Sequence, residues 1–415
     1  MKTINDSSIC NLKKFGDIST FYLLLGAECN MNCRHCLQKP MRNEKFSLNE
    51  INKEVKVLLD NYIEYAKEHK YPDGRPNYVC FWGGEPLLHW DFIRKTIVEV
   101  FDKHNLYNNT NVRFVLTTNG LLLDQNKVDF INKYGLRILF SYDAPHPFAV
   151  RDYVSDDICN LVKKINCYGI LCSGNAINCD PLLAFKCLKR KFPNAKRYGV
   201  GLEFVSTFNV PSDIVNYDFN KIADNLRKMR ICIQLNKNYD EMAFSYTFYW
   251  QVISSIFYPQ RNKFKDTLLP VWNMGSEILA TTLDGKIPVH PNDCTVWIGD
   301  IYDTLSDINQ RCLDFYRLKQ DPRCKTCEHL DVCLGCCAIA MRDKNNHIVD
   351  CSLFFLKYYT LLKNEALKLS DALTENDILW YKKEEEKMNL AVEQFLLEDV
   401  NYKKGGDFYV KRRNE

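Results

Sequence analysis

Cys29, Cys33 and Cys36 fall in the run Cys29-Asn30-Met31-Asn32-Cys33-Arg34-His35-Cys36, three thiols spaced by three and then two residues behind an apolar, strand-like segment. Three thiolates from one short loop can each take a corner of a four-iron four-sulfur cube. The fourth iron, without a protein ligand, is then open to chelate a small molecule through nitrogen and oxygen. A zinc site would need a fourth protein ligand instead. A second field reads Cys324-x2-Cys327-x5-Cys333-x3-Cys337, with Cys336 adjacent and Cys351 downstream. Closely spaced cysteine pairs of this kind suit zinc or an iron-sulfur cluster.

These residues need a frame. From residue 19 to about 205, short runs rich in β-branched and aromatic residues alternate with longer amphipathic stretches, the pattern of a parallel sheet wrapped by helices. The strand-like runs fall near residues 20–25, 78–82, 112–117, 136–140, 170–173 and 199–205. Six β/α repeats predict an α/β fold with a partial, open (β/α)6 TIM-like barrel. For the first helix, Ser47 and Glu50 read as a capping box ahead of the stripe Leu48, Ile51, Val55, Leu58, Tyr62 and Ala66. Asp91, Asp124, Ser155 and Asp180 are expected to be caps or first-turn residues of later helices.

Functional residues in such folds collect where strands end. The cysteine loop follows the first strand, Gly83-Gly84-Glu85-Pro86 the second, Thr117-Thr118-Asn119-Gly120 the third and Ser141-Tyr142-Asp143 the fourth. Gly83 and Gly84 would let a ligand approach the backbone, and Glu85 supplies an anionic acceptor suited to an ammonium. Ser141 and Asp143 have the chemistry to contact ribose or carboxylate groups.

After Pro211 the pattern turns helical to about residue 258, and a short-stranded, cysteine-rich region follows over residues 266–351. The last segment opens with the apolar run Leu353 to Leu356 and continues through two helical stretches, one carrying the charge run Lys382 to Lys387. With 55 basic against 52 acidic side chains and a net charge of +3, nothing marks a nucleic-acid or membrane-surface partner. No apolar run approaches the roughly 18 residues of a membrane span, and no signal-peptide pattern is present, so a cytoplasmic protein is expected. Its 19 cysteines then read as free thiols and metal ligands rather than disulfides, with Cys80, Cys167, Cys172, Cys187 and Cys232 as packing residues.

The cysteine loop followed by the Gly-Gly-Glu-Pro turn resembles the radical S-adenosylmethionine enzymes, over roughly residues 19–205. The resemblance implies that Cys29, Cys33 and Cys36 ligate a 4Fe-4S cluster, that His35 packs near the adenine, and that Gly83, Gly84 and Glu85 receive the methionine amino group. Asn119, Ser141, Asp143 and Arg151 join the residues expected to hold S-adenosylmethionine. It further implies an electron donor of the flavodoxin or ferredoxin type.

The second field resembles the SPASM extension of radical enzymes that modify peptides and proteins, which implies at least one auxiliary 4Fe-4S cluster at Cys324, Cys327, Cys333 and Cys351, with Cys337 as a further ligand. The segment Trp272 to Ile301 resembles the upstream half of that pattern, but Trp272 and His290 stand where cysteines are expected, and His290, Cys294 or Cys312 would have to substitute. The expected organisation is a radical enzyme barrel over residues 1–215, bridging helices over 216–265, a SPASM-like domain over 266–351 and a helical C-terminal extension over 352–415. The function implied is maturation of a ribosomally made peptide by crosslinking, epimerisation or oxidation. The alternatives are a sulfatase-maturase-like oxidase of a protein side chain and, from another class, an iron-sulfur electron carrier. Cys29 lies so near the first residue that no leader-binding domain is expected before it; a leader would need a separate protein, or a site in the barrel or C-terminal helices.

Overall fold

The computed structural model describes residues 7–16, 18–34, 36, 38, 50–71, 74–144, 151, 154–174, 180–202, 218–236, 278–290, 293–317, 341–342, 348–350, 360–361, 364–365 and 367–402. His35, Trp272 and the cysteines of the second field lie outside them, as does the aromatic stretch Tyr239 to Tyr258. For His290, Cys294 and Cys312 only the backbone is described.

All six expected strands form: β1 (Thr20–Leu24), β2 (Asn77–Trp82), β3 (Val112–Thr118), β4 (Arg137–Ser141), β5 (Tyr168–Gly174) and β6 (Arg197–Leu202). A seventh, β7 (Ile278–Thr282), comes from the cysteine-rich region and pairs parallel with β1, Thr20 opposite Ile278 and Leu24 opposite Thr282. The sheet order is β6-β5-β4-β3-β2-β1-β7. Among the described residues the sheet does not close, which is consistent with a partial barrel.

The chain divides into two compact units, the first comprising Met1–Ser141, Val154–Gly169 and Lys263–Ser352. In this unit alternation sorts the strand residues onto two faces. Phe21, Val79 and Phe114 lie in register across β1 to β3, and Leu23, Phe81, Leu116 and Ile138 across β1 to β4; all are fully buried. Helices α1 (Lys53–Glu68) and α2 (Trp90–His104) pack on that face, Tyr62 against Phe21 and Phe101 against Phe114, and α3 (Gln125–Lys133) and α4 (Asp156–Lys163) follow in the same unit. Helix α1 buries Val55, Leu58, Leu59, Tyr62, Ile63 and Ala66, and the Tyr62 ring meets Phe15 edge-on with centroids 5.1 Å apart. The opposite face carries the half-buried Tyr22, Trp82, Thr117 and Leu139.

The start of α1 differs from the expected capping box. The helix begins at Lys53, and Asn52 caps it, its side chain accepting the Glu54 N–H at 2.7 Å. Glu50 and Ile51 precede the helix. The reason is a long-range tie: the Asn52 N–H donates to the Leu283 carbonyl just after β7, at 2.8 Å, which fixes the chain there in a non-helical conformation. The other caps form as expected: Asp124, Ser155 and Asp180 each accept a backbone N–H three residues on, and Asp91 lies in the first turn of α2. Beyond β7, the antiparallel pair β8 (Lys286–His290) and β9 (Asp293–Asp300) leads into α7 (Leu305–Arg317), and a short pair, β10 (Met341–Arg342) with β11 (Ile348–Asp350), follows.

The second unit comprises Tyr142–Tyr153, Ile170–Asn262 and Leu353–Glu415. It contains β6, α5 (Pro181–Lys191), α6 (Phe219–Asn236) and the long C-terminal α8 (Glu375–Tyr402). Helix α6 reaches the C-terminal segment through a buried charge pair, Arg230 Nε to Glu365 Oε2 at 2.7 Å, and a half-buried one, Arg227 Nη2 to Asp377 Oδ1 at 2.9 Å, with the Arg227 guanidinium 4.2 Å above the Trp380 ring. No helix among the described residues is long and apolar enough to cross a membrane.

Candidate active site

Parallel strands deliver the ends of β1, β2 and β3 to one rim, and backbone contacts between the loops hold them in a fixed relation. From β1 the chain passes Leu25, whose N–H donates to Trp82 O at 2.9 Å, and then runs beside the Gly-Gly-Glu turn. There Gly84 N–H donates to Gly26 O at 2.9 Å and Glu85 N–H to Glu28 O at 2.7 Å. A Cβ on Gly84 would overlap the Glu28 carbonyl oxygen and stand 2.6 Å from Ala27 O, and one on Gly83, where φ is +144°, would overlap Gly26 O. The two glycines therefore admit the backbone leading into Cys29. Their side-chain space is filled by protein, a different use from the ligand approach expected of them.

Glu85 is also committed differently from expectation. Its carboxylate is buried and accepts three hydrogen bonds, from Leu87 N–H at 2.9 Å and Thr118 Oγ1 at 2.7 Å on one oxygen and from Asn119 N–H at 2.8 Å on the other. Burial raises its pKa above the ordinary carboxylate value, against the opposing pull of those donors. The side chain thus joins the turn after β2 to the end of β3. Carbonyl groups of the turn are what remains for a ligand ammonium.

Around the cysteines, Cys33 is buried and Cys29 and Cys36 are half-buried, and none of the three is in a disulfide among the described residues. Met31 N–H donates to Cys29 Sγ at 3.4 Å, and Asn119 Nδ2 stands 3.8 Å from the same sulfur and 2.8 Å from Asn30 Oδ1. Cys36 N–H donates to Cys33 O at 3.3 Å. N–H groups aimed at a cysteine sulfur favour its thiolate, the form that ligates iron. Among the described residues no three His, Cys, Asp or Glu side chains converge as they would on a single metal ion. Three thiols on one short loop, with N–H groups near the Cys29 sulfur, are a donor set that fits three corners of a 4Fe-4S cluster.

Structure brings Cys29, Cys33, Cys36, Gly83, Gly84, Glu85 and Asn119 together in the first unit, where Ser141 is a buried residue ending β4. Asp143 and Arg151 belong to the second unit and meet each other. Arg151 Nε donates to Asp143 Oδ1 and its backbone N–H to Oδ2, both at 3.1 Å, and Arg151 Nη2 reaches Ser173 Oγ at 2.6 Å. Ser173 N–H completes the set on Asp143 Oδ1 at 3.0 Å. Thr118, Asn30 and Ser173 were missed as members of these networks. Thr118 and Asn30 lie inside the loops singled out by their motifs, while nothing in the sequence connects Ser173 to Asp143. Of the expected packing cysteines, Cys80, Cys172, Cys187 and Cys232 are buried and Cys167 is half-buried.

Residues 23–178 match the family described as the Radical SAM superfamily, so the chain carries a radical SAM domain. Domains of this superfamily are enzymatic and use a 4Fe-4S cluster with S-adenosylmethionine. Among curated proteins, the radical SAM cyclopropyl synthase TigE of Paramaledivibacter caminithermalis is 26% identical over 157 residues, 36% of this chain and 32% of that protein. The cysteine-type anaerobic sulfatase-maturating enzyme of Clostridium perfringens is 26% identical over 138 residues, 32% of this chain and 34% of that protein. The matched region thus spans about a third of the length of these curated relatives. The solved structure of native anSMEcpe with bound AdoMet has the same fold, with a TM-score of 0.56 at 18% identity over 88% of this chain and 99% of that one.

Proposed function

We propose that this chain is a radical SAM peptide maturase, which abstracts hydrogen from a ribosomally made peptide to form a crosslink, an epimer or an oxidised residue. The observation that carries the reading is the backbone-to-backbone lock between the loop of Cys29, Cys33 and Cys36 and the Gly-Gly-Glu turn. When bound, a 4Fe-4S cluster with one open iron supplies the electron that cleaves S-adenosylmethionine to methionine and a 5′-deoxyadenosyl radical. Cys29, Cys33 and Cys36 would hold the cluster. The carbonyls of Gly83 to Glu85 would accept from the methionine ammonium beside it, and His35 would lie by the adenine. Buried Glu85 fixes the turn.

Similarity to TigE and to the sulfatase-maturating enzyme, and a fold shared with anSMEcpe, which has also been solved with bound AdoMet and Cp18Cys peptide, support a peptide or protein substrate. The same similarity favours a second reading, oxidation of a side chain on a protein. Under either, Cys324, Cys327, Cys333 and Cys351 hold an auxiliary cluster with Cys337 nearby, a flavodoxin or ferredoxin donates the electron, a leader is bound by a separate protein or by the barrel or C-terminal helices, and the site of action is the reducing cytoplasm.

Reconstituted, reduced protein incubated with S-adenosylmethionine is expected to release 5′-deoxyadenosine, and a cognate peptide to change in mass. Fully loaded protein that forms no 5′-deoxyadenosine would make the chain an electron carrier and end the proposal.

A further inference from the structure

We infer that Asn119 is a positioning residue for the cluster, its side-chain amide directed at Cys29 Sγ and its backbone held by Glu85. Two hydrogen bonds settle which way the amide faces. Leu121 N–H donates to Asn119 Oδ1 at 3.0 Å, and Asn30 Oδ1 accepts from Asn119 Nδ2 at 2.8 Å. An amide turned the other way would set N–H against N–H at Leu121 and oxygen against oxygen at Asn30. The Nδ2 group is therefore the atom 3.8 Å from Cys29 Sγ.

The backbone beneath it is fixed from the other side. Asn119 N–H ends on Glu85 Oε2, Thr118 Oγ1 donates to Glu85 Oε1, and Thr118 Oγ1 in turn accepts Gly120 N–H at 2.9 Å. Because Glu85 N–H is itself bonded to Glu28 O, the residue before Cys29, a closed circuit runs from the cysteine loop through Glu85 to Asn119 and back to the cysteine sulfur. Burial keeps water from competing for the bonds that join Glu85, Thr118 and the Asn119 and Gly120 N–H groups. The carboxylate expected to meet a ligand ammonium acts as a strut.

A donor aimed at a ligating sulfur stabilises the more negative, reduced form of an iron-sulfur cluster and so raises its reduction potential. Met31 N–H supplies one such donor to Cys29, but from the backbone. Asn119 supplies the one that a side-chain substitution removes. In Asn119→Asp the Leu121 N–H keeps its acceptor while a carboxylate oxygen replaces the donor beside the sulfur. In Asn119→Ala the donor is deleted without added charge.

This inference rests on the cluster assigned to Cys29, Cys33 and Cys36, and the test separates the two. Wild type, Asn119→Asp and Asn119→Ala are reconstituted without S-adenosylmethionine, their iron counted, and the cluster potential read by EPR-monitored redox titration. Wild type that takes up no cluster overturns the assignment of the cysteines. With wild type loaded, both variants are expected to titrate at more negative potential, Asn119→Asp further than Asn119→Ala. A variant that keeps its circular dichroism and melting temperature but loses cluster uptake also supports the inference, since Cys29 is then no longer held. Loaded variants with the wild-type potential overturn it, and so does a variant that loses its fold, because Asn119 would then be a residue of the sheet rather than of the cluster.

Discussion

Gly84 carries two demands at once: its N–H must reach Gly26 O, and its missing side chain must leave room for the carbonyls of Ala27 and Glu28. Both contacts are with backbone, which cannot swing aside as a flexible side chain would. Gly84→Ala is therefore expected to destabilise the apo-protein by about 1–3 kcal/mol, the usual range for overpacking, and to lower iron uptake by displacing the segment before Cys29. Urea unfolding of the apo-protein and iron per chain after reconstitution check this. Glu85 makes a second prediction at the same scale. Its folded-state pKa is raised by burial, so the folded protein keeps this proton to a higher pH than the unfolded chain does. Stability from this group is then present below the unfolded carboxyl pKa and declines as pH rises from there through the folded value. Glu85→Gln removes that titration, and the stability difference between wild type and variant should change with pH across that window; a difference independent of pH would show that Glu85 titrates alike folded and unfolded.

Helices of the two units show which local signals suffice and which do not. Asp124, Ser155 and Asp180 cap their helices as their sequence positions predict, because each bond lies within three residues of the cap. The Ser47–Glu50 box was read by the same rule, yet α1 starts at Lys53, because Asn52 is tied to Leu283, more than two hundred residues away. The position of β7 was hidden for the same reason: strand pairing is non-local, and no property of Ile278–Thr282 taken alone names β1 as its neighbour. Cysteine spacing and the order of the rim motifs were fully visible. The distant partners of Glu85, Asn119 and Asp143 were not, since those hydrogen bonds join residues thirty or more apart; Leu87 on Glu85, Leu121 on Asn119 and Arg151 on Asp143 lie near in sequence. Asn52→Ala should cost about 1 kcal/mol in urea unfolding through loss of the Glu54 N–H acceptor, whereas Asn52→Asp, which keeps an acceptor oxygen, should stay within about 0.5 kcal/mol of wild type. Equal losses in the two variants would mean that the cap contributes nothing and the Leu283 tie fixes the helix start.

At the scale of the whole chain, two cysteine fields far apart in sequence serve one proposed reaction, and their duties separate. Under the proposed function, forming the radical would require only the loop of Cys29, Cys33 and Cys36, whereas turning over a peptide would also draw on the field from Cys324 to Cys351. Cys33→Ala should therefore abolish 5′-deoxyadenosine formation. Cys327→Ala should leave some 5′-deoxyadenosine formation but impair peptide modification. Iron content gives an independent reading, because each field would hold about four irons. Wild type should carry about eight per chain, and a variant lacking Cys29, Cys33 and Cys36 about four, with Trp272 and His290 standing where cysteines of a further cluster would be. About eight irons left in the triple variant would mean that His290, Cys294 or Cys312 completes a second auxiliary site around Cys337. None left would mean that the downstream cysteines hold no cluster, and the separation of duties between the two fields would fall with it.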